Sequence, residues 1–148
     1  MTAKEYLQQL TNLHLRIAAI EGVIAEYYEK AQGTAAGSSE LPPSVMVTDN
    51  RTEDRLIKLA ESSEKLQELC DELEVFAYKV TIEINRLKNS TYAALLINKY
   101  VRNRTWEQVA EDIGLNTDYT KGELHGKALA AFEREVMNTS QNLLAFPC

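Results

Sequence analysis

Few residues in this chain of 148 are equipped for covalent or proton-transfer chemistry, and their spacing works against it. The two histidines, His14 and His125, are far apart in sequence, and no HExxH, CxxC, GxSxG or phosphate-loop pattern occurs. Cys70 and Cys148 have no His or Cys beside them at metal-ligand spacing, so neither a zinc site nor a disulfide framework is indicated. Both are expected to be plain thiols in a reducing cytoplasm. The adjacent acids Asp71-Glu72 and Glu111-Asp112 fall where solvated helix faces are expected, which argues against general acid-base work. The expectation is a protein that is not an enzyme and uses neither cofactor nor metal.

What remains is recognition chemistry, and its residues gather in the last third of the chain. Thr105 and Gln108 have the three-residue spacing of a capping box and open the segment WEQVAEDIG. Gly114 closes that segment where a left-handed backbone is easiest to hold, and Asn116 or Thr117 caps a last helix running to about Met137. Before them, Ser90 is the expected cap of a short helix TYAALLINKYVRN with Leu95, Leu96 and Tyr100 inward. Val109 and Ile113 should face the core, with Ala110 small enough for close crossing; Leu115, Leu124, Leu129 and Phe132 complete the apolar face. Two short helices joined by a three-to-four-residue turn after a glycine have the helix-turn-helix layout.

The stretch YAALLINKYVRNRTWEQVAEDIGLNTDYTKGELHGKALAAFE resembles region 4 of sigma factors. The whole chain is similar to a family of short proteins of phages and prophages of Gram-positive bacteria, grouped with sigma-like and ArpU-type late-gene regulators; the likeness is specific over residues 95 to 132. That resemblance implies double-stranded DNA as partner, with host RNA polymerase as a further one. It places Asn116, Thr117, Tyr119, Lys121 and Gly122 at the exposed start of a recognition helix that reads base edges. Arg102, Arg104 and Thr105 would then touch phosphates at the entry of the preceding helix, and His125 and Lys127 would flank the DNA backbone. Trp106 is expected to pack on the previous helix. Two departures stand out: Thr120 occupies a place where Val is usual, and Glu123 one where a basic residue is usual.

Long helices must carry this module. Thr2 and Glu5 form another capping box, and Leu10, Leu13, Ile17, Ile20, Ile24 and Tyr27 step by three and four along a helix expected to reach about Ala31. From about Thr52 to Lys88, Leu56, Leu59, Ser63, Leu66, Cys70, Leu73, Ala77, Val80, Ile84 and Leu87 repeat the pattern, a supercoil seam. Between them, Gln32 to Asn50 is rich in Gly and Ser and holds Pro42-Pro43, which predicts a mobile loop.

The expected fold is all-α: a long antiparallel, coiled-coil-like hairpin (1–88, with the loop at 32–50), a three-helix helix-turn-helix domain (89–137) and a tail (138–148). Ile57, Leu69, Val75, Phe76 and Ile82 widen the apolar surface of the second helix beyond one seam, which predicts a homo-oligomer with a dimer favoured. MTAKEYLQQL lacks a signal leader and no apolar run is long enough for a membrane, so a cytoplasmic protein is expected.

The net charge of -6 runs against tight DNA binding by a monomer; from Lys99 onward six basic residues face seven acidic ones. Two alternatives to a transcription regulator therefore stay open. One is a DNA-packaging adaptor of the small-terminase kind; the other is a helical interaction module that does not bind DNA.

Overall fold

The computed structural model describes residues 1–37 and 50–139, and all regular structure among them is helical. Helix α1 spans Ala3–Gly37 and α2 spans Asn50–Ile84. Helix α3 begins as Ser90–Leu96 and widens into a π-helical turn, Ile97–Val101. Helix α4 is Trp106–Ile113. Helix α5, residues 117–137, starts with Thr117–Tyr119 and alternates wide and normal turns through Thr120–Leu124, His125–Phe132 and Glu133–Met137. No described helix is long and apolar enough to cross a membrane.

Helix ends follow local side-chain chemistry. At the start of α1, the Thr2 N–H donates to Glu5 Oε2 and the Glu5 N–H to Thr2 Oγ1, both at 3.1 Å, closing the expected capping box. Helix α1 runs past its expected end near Ala31 to Gly37, so the first residues assigned to a loop at 32–50 are helical instead. The physical reason is that no proline lies in 32–37, and Ala35 and Ala36 favour helix. The remainder of that loop, 38–49, and the tail from 140 lie outside the described residues.

Helix α2 ends at Ile84 rather than Lys88. Arg86 and Leu87 donate to the carbonyls of Glu83 and Ile84 at 3.1 and 3.0 Å, tightening the last turn and bringing Leu87 onto the core. The cap of α3 is Asn89 rather than Ser90. Its Oδ1 accepts from the Thr91 and Tyr92 N–H groups at 2.9 and 3.2 Å, which satisfies two orphan donors at once.

The chain forms two compact units. One comprises Met1–His14 and the chain from Leu73 onward; its core joins Ala3, Leu7 and Leu10 of α1 to Ile84, Leu95, Leu96 and Phe132, all fully buried. This differs from the expected boundary at 88/89, because the first turns of α1 and the last of α2 are apolar on the side that meets α3 and α5. Tyr6 sits among them, edge-on to Phe76 and stacked on Phe132, its hydroxyl donating to Glu83 Oε1 at 2.5 Å. Burial and that carboxylate push its pKa up. Helix α3 packs chiefly on α5, and Val109 and Ala110 of α4 are buried as expected.

In the other unit, Leu15–Glu72, the stripe Ile17, Ile20, Ile24 and Tyr27 is half-buried, and Leu69 is buried. Leu69 is therefore covered by its own chain, as is Phe76 in the first unit, whereas Ile57, Val75 and Ile82 are exposed.

Candidate nucleic-acid interface

The turn between α3 and α4 is set by Asn98, which is buried at the start of the π-helical turn. Its carbonyl accepts from the Arg104 N–H at 3.0 Å and its Oδ1 from Arg102 Nη1 at 2.7 Å. Asn103 makes the bend between them at a φ of 54°, a left-handed conformation that Asn tolerates better than most residues. Arg102 is exposed and tethered only to a neutral group, so it keeps its charge available. Arg104 does not: its Nε lies 2.7 Å from Asp112 Oδ2, an ion-pair contact that is not aligned as a hydrogen bond.

Thr105 caps α4, its Oγ1 accepting from the Gln108 N–H at 3.3 Å while its own N–H donates to Gln108 Oε1. Gly114 closes α4 at φ 74°, ψ 31°, and the Gly114 and Leu115 N–H groups donate to the carbonyls of Glu111 and Ala110. This paired closure of a helix end is the one glycine permits most cheaply. It turns Leu115 outward, 42% exposed, so Leu115 does not join the apolar face as expected. Asn116 caps α5 through Oδ1 to the Tyr119 N–H at 3.2 Å. Thr120, fully buried, satisfies its hydroxyl by donating to the Asn116 carbonyl at 2.7 Å, which is how a threonine fills a valine-like position.

The expected DNA-facing residues separate on this scaffold. Tyr119, Lys121 and Gly122 are exposed together on α5, with Asn116 exposed at its cap and Thr117 half-buried beside it. Lys127 pairs with Glu123 at 3.1 Å on an exposed face, and the carboxylate raises its pKa. His125 turns inward instead of flanking a backbone. It is hydrogen-bonded to the Tyr100 hydroxyl at 2.8 Å and meets Trp106 edge-on at 4.7 Å. Burial first, then Lys4 and Lys99, push its pKa down to about 4, so the imidazole is neutral near pH 7 and offers no positive charge to a phosphate.

His125 lies on the wall of an open cleft of about 390 Å³ that the sequence did not reveal. Helix α1 contributes Lys4, Gln8 and Thr11, spaced so that they share one face. Opposite stand Lys99 and Tyr100 of α3, Trp106 of α4 and Lys121 of α5. Lys99 Nζ sits 4.7 Å above the Trp106 ring and donates to the Arg104 carbonyl at 3.5 Å. Burial lowers the Lys99 pKa, and Lys121 adds to this against the opposing pull of Glu107. The α1 spacing was the signal available in sequence, but nothing local joins Lys4 to residues beyond 99. Among the described residues, no three His, Cys, Asp or Glu side chains come together as a metal site.

Compared with protein families, curated proteins and solved structures, the chain matches none of them.

Proposed function

We propose that this is a DNA-binding transcription regulator of the sigma-like, late-gene phage type. Helices α4 and α5 act as a helix-turn-helix, and the N-terminal helices pair as an antiparallel hairpin that oligomerises the chain. The observation that carries the reading is the joint at Gly114. A short helix closed by a left-handed glycine leads after two residues into a freshly capped helix whose first turns leave Tyr119, Lys121 and Gly122 exposed. The hairpin is supported by the pairing of Tyr6, near the start of α1, with Phe76 and Glu83, near the end of α2.

The cations available to DNA are fewer than the basic residue count suggests, because Arg104 and Lys127 answer to Asp112 and Glu123. Of the Arg and Lys residues expected to face DNA, Arg102 and Lys121 remain, so affinity per chain should be modest and salt-sensitive, with a log-log slope of roughly -0.9 per phosphate neutralised. Fluorescence anisotropy of the full chain on phage late-promoter duplexes at several salt concentrations tests this. Binding that weakens with salt and falls further in R102Q and K121Q supports the regulator, and its absence at low salt defeats it.

The non-DNA interaction module is favoured by one observation, the exposed acids Asp118 and Glu123 on the leading turns of α5. It would be supported by a wild-type chain that ignores DNA and an E123R variant that acquires binding. Eight or more subunits by light scattering would instead favour the packaging adaptor.

A further inference from the structure

The cleft between the first turns of α1 and the helices α3, α4 and α5 is lined by three lysines, in a chain whose net charge is -6. Among the described residues, none of Lys4, Lys99 and Lys121 is in a salt bridge. Lys99 has only the Trp106 ring and the Arg104 carbonyl beside it, with Glu107 acting without an ion-pair contact, so like charges gathered without a paired carboxylate repel one another and an anion in their midst relieves the repulsion. We propose that this cleft binds a small phosphorylated ligand, its phosphomonoester or pyrophosphate group held by Lys4, Lys99 and Lys121. The inference goes beyond the DNA reading and stands whether or not α5 enters a groove.

Charge number selects the chemical class. A carboxylate brings one negative charge, whereas a phosphomonoester brings about 1.5 to 2 near pH 7 with three strong acceptor oxygens, the better match to three donors of charge. Gln8 and Thr11, one and two turns beyond Lys4 on the same side of α1, add neutral hydrogen-bonding groups to that wall. A volume of about 390 Å³ leaves room for a small organic body beyond the phosphate. Lys99 already lies over one face of Trp106 and His125 meets the ring edge-on, so recognition runs through the anionic group rather than through stacking of a base. A DNA duplex presents singly charged phosphodiesters on a convex surface, which suits a flat basic face better than a recess.

Trp106 is the only tryptophan of the chain, so the site carries its own reporter. The full-length protein is titrated with inorganic phosphate and with pyrophosphate at constant ionic strength, with sodium chloride as control. Tryptophan fluorescence is followed, and calorimetry serves as second readout. Saturable binding, tighter for pyrophosphate than for phosphate, is expected. Lys4 and Lys121 are exposed, so K4Q and K121Q should leave the melting temperature unchanged while weakening binding at least tenfold, and K4R should retain it. The proposal is overturned by the absence of saturation in both readouts, or by equal affinity in K4Q and K121Q. It is equally overturned if pyrophosphate never saturates while K4Q weakens duplex binding, since Lys4 would then join Lys121 as a DNA contact. Failure of the wild-type chain to bind DNA leaves the inference intact, so the two readings fail separately.

Discussion

At the scale of single residues, His125 couples the core to the cleft. Its ring meets Tyr100 and Trp106, its Nε2 is hydrogen-bonded to the Tyr100 hydroxyl, and Lys4 and Lys99 oppose a positive charge on it. Burial likewise pushes the Tyr100 hydroxyl up to about 12, so both partners stay neutral across the physiological range. The folded pKa of about 4 is below the ordinary 6.5, so between those values the unfolded chain binds the extra proton and the folded chain does not. Stability contributed by neutral His125 is therefore fully present above about pH 6.5 and drains away as pH falls towards 4. Denaturant unfolding of the wild type and H125Q across pH 8 to 4 isolates this residue, because other titrations largely cancel in the difference. The gap between the two proteins should be widest above pH 6.5 and narrow on acidification; a constant gap would contradict the inward, neutral placement.

At the scale of elements, the two α5-proximal glycines have opposite consequences despite lying eight residues apart. Gly114 holds φ at +74°, where a Cβ is strained, so G114A should cost about 1 to 2 kcal/mol even though the space around it is open. Gly122 lies within the helix, and a Cβ added there would meet nothing within 4 Å, so G122A should stabilise by about 1 kcal/mol by restricting the unfolded chain. Urea midpoints of both variants at one pH check the pair, and equal signs would mean that the turn is not built as described. Such ends were legible in the sequence because a cap is a conversation among residues three or four apart: Thr2 with Glu5, Thr105 with Gln108, Gly114 with the carbonyls behind it. Where two neighbours could each do the job, as with Asn89 and Ser90, the pattern alone was insufficient, and the reach of the Asn side chain to two amides decided it. The stop at Ile84 was hidden for a similar reason, since the apolar repeat continues through Leu87, which reaches the core from a tighter turn. The cleft was illegible altogether, because Lys4 and Lys121 come to line one cleft only after the first turns of α1 pack beside α3 and α5.

At the scale of the whole molecule, the surplus apolar surface of α2 holds one continuous strip through which the proposed association can be tested. Leu69 and Phe76 are covered by their own chain; Leu56 and Ile57 are exposed near the start of α2, and Val75, Tyr78 and Ile82, exposed by 72%, 71% and 45%, follow at steps of three and four along one face. One turn further back the same face turns to Asp71 and Glu72, both exposed, so the strip does not continue as a seam in that direction. Three side chains of this size bury on the order of 300 Å² per partner, well short of the roughly 800 Å² of a standard interface. Pairing through the strip alone should therefore be weak and concentration-dependent. Sedimentation velocity should show a weight-average mass rising from one chain towards two across tens to hundreds of micromolar, and V75E/Y78E should hold it at one chain with helicity unchanged. A stable dimer at low micromolar concentration that survives V75E/Y78E would place the interface elsewhere. On the DNA-binding reading proposed above, a strip this small leaves part of the pairing energy to be supplied by DNA. Duplexes with two half-sites should then be bound more tightly than single half-sites by a margin that V75E/Y78E removes, while affinity for a single half-site stays unchanged.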